Sequence, residues 1–127
     1  MANTDNIISF VAAEAITEFA LVSVDTAGKI VITDAATDTR CLGVAQRACS
    51  AGDSVEVVIS GKTRVVAGGT IANSDSLVMA SSNGKVVKHE TTGNYAIGSI
   101  IPNINQVSSA SGDQVFINFT GPKLLIP

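Results

Sequence analysis

The chain contains no tryptophan, one tyrosine (Tyr95), four phenylalanines and a single histidine (His89). Lectins and single-strand nucleic-acid modules stack their ligands on aromatic platforms, and this composition does not supply one. Charge is also scarce: 15% of the 127 residues are charged, with 8 Lys plus Arg against 11 Asp plus Glu and a formal net charge of −3. Such a chain has no excess of cations with which to neutralise a phosphate backbone, so nucleic acid is not an expected partner. Its apolar runs are short, and none approaches the roughly 18–20 residues that a membrane-spanning helix needs. A membrane is therefore not an expected partner either. The first residues, Met-Ala-Asn-Thr-Asp-Asn, lack the positive start and apolar core of a secretory signal. Synthesis in the cytoplasm of the producing cell is expected.

The groups that carry chemistry are equally sparse. A lone histidine in Lys88-His89-Glu90-Thr91-Thr92 reads as a solvated loop residue rather than a metal ligand. Cys41 and Cys49 match neither a zinc motif nor a C-x-x-C redox pair. They read as small buried hydrophobes in a reducing compartment, with a local disulfide as the other arrangement. The aspartates Asp25, Asp34, Asp38, Asp53, Asp75 and Asp113 lie mostly in turn contexts, where a carboxylate bonds nearby backbone amides. No nucleophile elbow, phosphate-binding loop or dinucleotide fingerprint occurs. The expectation is a protein that is not an enzyme and has no catalytic residue, metal, cofactor or small-molecule substrate.

Apolar residues make up 46% of the chain, in short stretches broken by Ser, Thr, Gly, Asn and Asp. A single domain of this length buries roughly two-thirds of the surface its unfolded chain exposes. The excess of apolar over charged residues points to a partner-facing surface.

The chain also repeats itself. Leu21 to Val31 aligns without gaps on Leu77 to Val87, with Leu, Val, Gly, Lys and the final Val coinciding. Leu42-Gly43-Val44 falls on Ile97-Gly98-Ser99, and Ala51-Gly52-Asp53-Ser54-Val55 falls on Ser111-Gly112-Asp113-Gln114-Val115. Three blocks in the same order define two repeats, about 11–61 and 66–121, within one domain of residues 11–127. Two copies are too few for a solenoid. A pseudo-symmetric all-β barrel or sandwich with at most one or two short helices is expected.

Period-two alternation identifies strands at 54–60 and 114–119, with Val55, Val57 and Ile59, and Val115, Ile117 and Phe119, facing a core. Val58 and Phe116 break the pattern on the outer side, which suggests a second packed layer or a subunit contact. Asn83-Gly84 between two apolar runs is a strong signal for a type I′ hairpin, and Ala27-Gly28 is a weaker one. Gly43 and Gly98, each within an apolar run, suggest a bulge or a close backbone approach. The one candidate helix is Val11–Ala20, in which Val11, Ala15, Ile16 and Phe19 would share a face. Lys29 and Lys85 at hairpin tips in a duplicated β framework also raise a lipoyl- or biotinyl-like carrier domain, although their Gly-Lys-Ile and Gly-Lys-Val flanks differ from those of such carriers. The terminal Leu124-Leu125-Ile126 is either a subunit contact or a closing strand.

With the Leu42–Ala45 strand, the Ala51–Val57 block, Gly61 closing it and the same scheme in the second half, the chain resembles the capsid decoration, or cement, proteins of tailed bacteriophages. That resemblance implies a β-tulip fold and a structural role on the outer capsid surface of the virion. It also implies homotrimers bound to the major capsid protein and a shell stabilised against internal pressure. Another virion part, such as a head fibre or tail accessory, is the alternative. Residues 1–10 are then an N-terminal arm reaching onto the lattice or a first strand. The candidate capsid or subunit contacts are Asn3, Thr4, Asp5, Asn6, Ile7, Ile8, Phe116, Leu124, Leu125 and Ile126.

Overall fold

A computed structural model of the chain describes residues 6–35, 40–72, 77–89, 95–101 and 108–124. The protein is all-β. Strands β1 (Ile7–Val11), β2 (Leu21–Val24), β3 (Ile30–Ile32), β4 (Cys41–Ala45) and β5 (Ser54–Val58) form one antiparallel sheet in the order β1-β5-β4-β2-β3. In the remainder of the chain, β6 (Gly61–Val66), β7 (Ile71–Ala72), β8 (Leu77–Ala80), β9 (Val86–Lys88), β10 (Tyr95–Ile100), β11 (Ser108–Ser109) and β12 (Gln114–Leu124) follow. The second five-stranded sheet runs β6-β12-β10-β8-β9, and β7 pairs with β11 in a small ribbon.

If β6, β8, β9, β10 and β12 are set against β1 to β5 in chain order, the two sheets have one strand order. Local bonds agree as well. The Gly52 amide donates to the Ala12 carbonyl (2.8 Å) and the Gly112 amide to the Ala67 carbonyl (2.8 Å). The Asp53 carboxylate accepts from the Ser50 amide (3.1 Å) and the Asp113 carboxylate from the Ala110 amide (2.9 Å). Both aspartates thus act as the turn residues expected of them. Ala12 bridges Ile30 in parallel, as Ala67 bridges Val86.

The strands alternate as their sequences require, and the exceptions have tertiary causes. In β12, Ile117 and Phe119 are buried while Gln114, Phe116 and Asn118 are exposed. In β5 both Val57 and its neighbour Val58 are buried, so the first sheet is covered on both sides. One cover is a cluster in which Leu21, Cys41 and Val44 join Val65, Val78, Val86, Ile97, Ile117 and Phe119 of the second sheet. The other is a cluster of Ala12, Ile16, Ala20, Val22, Ile30, Ala45, Val55 and Val57. Segment 12–20 supplies three of those residues, and it is not the helix its composition suggests. Val11 and Ala15 are exposed, Ile16 bridges Cys49, and the buried positions are Ala12, Ile16 and Ala20. A non-helical path, bent at 13–14 and turned at 17–20, lets the segment bond to Ile30, Ala45 and Cys49, which outweighs its helical propensity. No disulfide forms: Cys41 packs in the shared cluster and Cys49 against the other one.

Turns and kinks follow the glycines. Asn83 (φ 60°) and Gly84 (φ 74°) are the two left-handed central residues of the Ser82–Lys85 turn, as expected for type I′. The turn at 25–29 is different. Gly28 is left-handed (φ 81°) but Ala27 is not, and the Asp25 carboxylate holds the loop by accepting from the Ala27 and Lys29 amides, both at 2.9 Å. The two tips also differ in surroundings. The Gly84 amide donates to the Thr33 carbonyl (2.8 Å) and the Asn83 amide to the Asp34 carboxylate (2.9 Å), so this tip docks on the first sheet. Gly43 and Gly98 lie where a neighbouring strand passes close by. A methyl group at Gly98 would sit 2.5 Å from the Asn118 carbonyl oxygen, and one at Gly43 would meet the Val58 carbonyl and lie 2.7 Å from Val57 Cγ1. The β10 register shifts at Gly98 against both neighbours. His89 is half-buried rather than solvated, and its amide donates to the Leu77 carbonyl (2.8 Å) at the end of the β8–β9 pair.

Two stability predictions follow from these contacts. Gly43→Ala and Gly98→Ala should each destabilise the protein by about 1–3 kcal/mol in urea unfolding, because backbone must move to admit the methyl group. Gly84→Ala should cost clearly more than Gly28→Ala. Both place alanine in left-handed backbone, but only at Gly84 would the new methyl lie 2.8 Å from Ala20 Cβ, whereas Gly28 has open space around it.

Candidate interaction surface

Four large apolar side chains are exposed among the described residues: Ile7 (51%), Ile8 (43%), Val11 (39%) and Phe116 (38%). The first three belong to β1, an edge strand whose register on β5 runs from Ile7 opposite Val58 to Val11 opposite Ser54. Isoleucine and valine favour the extended backbone that pairing needs, but an edge strand has only one neighbour to cover it. Phe10 escapes exposure by packing against the cluster around Val55 and Val57. Asn6 anchors the start of the strand: its carbonyl accepts from the Ile59 amide (2.8 Å) and its Oδ1 from the Ser60 hydroxyl (3.1 Å). Asn6 is half-buried and holds the corner before β6. Asn3, Thr4, Asp5, Leu125 and Ile126 lie outside the described residues. Leu124 ends β12 opposite Tyr95.

Phe116 is on the other sheet. β12 places it opposite Arg64 of β6, with Lys62 opposite Asn118. Thr63 and Val65 are buried, so alternation turns Lys62 and Arg64 outward on the face that carries Phe116. The Lys62 ammonium is 4.8 Å from the ring centroid and the Arg64 guanidinium 5.0 Å from it, both within cation–π range. Arg64 also donates to Gln114 Oε1 (3.4 Å). The expected contacts therefore form two groups, an apolar edge on β1 and a cation-flanked aromatic on β6 and β12, meeting at the 59–61 corner. The second group's cations were not singled out by motif. Their signal is the alternation Lys62-Thr63-Arg64-Val65, which becomes visible once β6 is known to be a strand.

Among the described residues, Arg47 Nε pairs with Glu56 Oε1 (2.9 Å), and both side chains are about half exposed. Arg47 Nη2 also donates to the Ser54 carbonyl. Their mutual hydrogen bond and attraction raise the Arg47 pKa and lower that of Glu56, the ordinary outcome for opposed charges at contact. Among the described residues no three His, Cys, Asp or Glu side chains are grouped to hold a metal ion. No helix among them is long and apolar enough to cross a membrane.

Three comparisons with known proteins bear on this surface. A model of the phage cement protein family matches residues 2–110. No curated protein matches the sequence. Solved structures that match include the head fiber gp8.5 N base of bacteriophage phi29, with a TM-score of 0.70 and 16% identity, over 94% of this chain and 98% of that one. At that identity the likeness is one of fold.

The Arg47–Glu56 pair generates a pH prediction. A carboxylate whose folded pKa is lowered contributes stability above its unfolded pKa of about 4.3, and that contribution is lost as pH falls through the folded value. Glu56→Gln should therefore lower the melting temperature slightly at pH 7, by less than Gly43→Ala, and the gap to the wild type should close in acid. Thermal melts at pH 7 and pH 3 measure both.

Proposed function

The chain belongs to the phage cement protein family, and on that premise we propose that it is seated on the outer surface of a phage capsid as a homotrimer bound to the major capsid protein. The protein is a structural virion component of the phage head, and in this reading its work is mechanical. Three copies of one modest patch on a symmetric lattice gain attachment through effective concentration, so weak single contacts add up to durable binding. A shell clamped at many such points resists expansion without any reaction taking place. Synthesis in the bacterial cytoplasm before assembly fits the same reading.

The observation that carries it is the exposed apolar edge of β1 in a chain otherwise efficient at burying its apolar residues. Ile7, Ile8 and Val11 stay in water on an edge strand with one neighbour, as a surface kept for a partner would. We read Phe116 as a second contact, and Asn3 to Asp5 and Leu124 to Ile126 as flanking ones. The shared strand order and the matched bonds at Asp53 and Asp113 support reading the two sheets as copies of one unit, with a β-tulip as the family form. A second reading, the base of a head fibre, draws on the likeness to the phi29 head fiber base over nearly its whole length.

Imaging of purified particles separates these readings. Density of about 13 kDa per copy on the outer surface at threefold positions is the expected result. Density only beneath a projecting fibre selects the second reading, and its absence from the outside of the head overturns both. An Ile7→Ser, Ile8→Ser variant should keep its unfolding free energy within about 0.5 kcal/mol per substitution, as surface changes do, while losing occupancy on particles. Unchanged occupancy would remove β1 from the contact.

A further inference from the structure

The charges of this chain are unevenly divided. Residues 1–61 carry eight acidic and three basic side chains, net −5, whereas residues 62–127 carry three acidic and five basic ones, net +2. Part of the difference falls on corresponding positions of the two sheets. On the first sheet Ser9 is paired with Glu56, which neutralises Arg47. On the second, Arg64 is paired with Phe116, with Lys62 beside the same ring. No carboxylate meets Lys62 or Arg64 among the described residues.

Two cations held within about 5 Å of one exposed ring repel each other, and the ring's quadrupole offsets this only in part. The arrangement is completed by an anion from outside. A two-fold contact of this face with itself would set cations against cations and is excluded by the same repulsion. A head-to-tail contact has no such conflict, because the acidic half of a neighbouring copy supplies the missing charge. The most available carboxylates there are on the exposed loop over the outer cluster. Glu18 is exposed and has no hydrogen bond or ion pair among the described residues, and Glu14, four positions earlier, is exposed with one oxygen accepting from the Ile32 amide (2.8 Å).

We propose that the Lys62–Arg64–Phe116 face of one copy docks on the Glu14–Glu18 loop of a second copy, in a heterologous contact that repeats around the oligomer. This rests on the reading of the protein as an oligomer and names the surfaces that make it. It also adds a salt-sensitive component to a protein whose sparse charge suggests apolar contacts alone.

A charge swap tests the contact on the free, full-length protein by sedimentation equilibrium. Lys62→Glu with Arg64→Glu, and separately Glu14→Lys with Glu18→Lys, should each weaken self-association at least about tenfold, and the four changes together should restore most of it, as expected for directly coupled charges. Wild-type association should weaken between 0.05 and 0.5 M NaCl. Thermal melts confirm folding, and the milder Lys62→Gln, Arg64→Gln pair, expected to show an intermediate loss, gives the same reading if a reversal variant unfolds. Wild-type-strength association of either reversal variant, or no rescue in the combined one, overturns the contact while leaving the oligomer intact. A wild type that stays monomeric at high concentration overturns the oligomer reading as well.

Discussion

The cluster in which Leu21, Cys41 and Val44 of the first sheet meet Val65, Ile97, Ile117 and Phe119 of the second is the contact on which the rest of the structure depends. Each sheet has five strands and commits one apolar face to this contact. Closing them on a common core removes large side chains from water; burying one such residue stabilises by roughly 1.5–3 kcal/mol. The cluster sets the rest. With one face of each sheet committed to it, the first sheet's other face is covered by segment 12–20, and the second sheet's outer face is left to Lys62, Arg64 and Phe116.

The same constraint explains the glycines. Sheets that wrap a shared core must bend, and β4 and β10 each pass a neighbouring backbone too closely to carry a Cβ at Gly43 and Gly98. The docked tip at Asn83–Gly84 is a further product of closure. Its Gly84 and Asn83 amides donate to the Thr33 carbonyl and the exposed Asp34 carboxylate just after β3, which gives the buried Thr33 a partner for its carbonyl. The corresponding tip at Gly28 has no such neighbour and is held only by its own Asp25. Tips at corresponding places, with different turn backbones, therefore serve two ends: a structural plug in one and a solvent-facing loop in the other.

A rigid β framework suits a protein whose task is attachment. Side chains on paired strands are held in place by the backbone bonds of the ladder, so an exposed face can be presented without the entropy cost of ordering a loop on contact. Here that framework carries two chemically different faces. The β1 edge is apolar and uncharged, while the β6–β12 face joins an aromatic ring to two cations.

Much of this was legible in the residues alone. The strands at 54–60, of which the structure keeps 54–58, and at 114–119, the Asn83-Gly84 turn, the special glycines at 43 and 98 and the cement-protein likeness all follow from local pattern, because period, turn chemistry and composition are properties of short stretches. What needed the tertiary structure depends on distant pieces meeting. Segment 12–20 has helical composition and becomes a non-helical cover because Ile30 and Cys49 offer it bonds that no local pattern encodes. His89 is half-buried because β8 and β9 pair beside it. Lys62 and Arg64 stand apart in sequence from Phe116, and only the β6–β12 register brings all three onto one face. Sequence thus determined which residues could be strand, turn or surface, and the packing of one sheet on the other decided which surfaces were left for a partner.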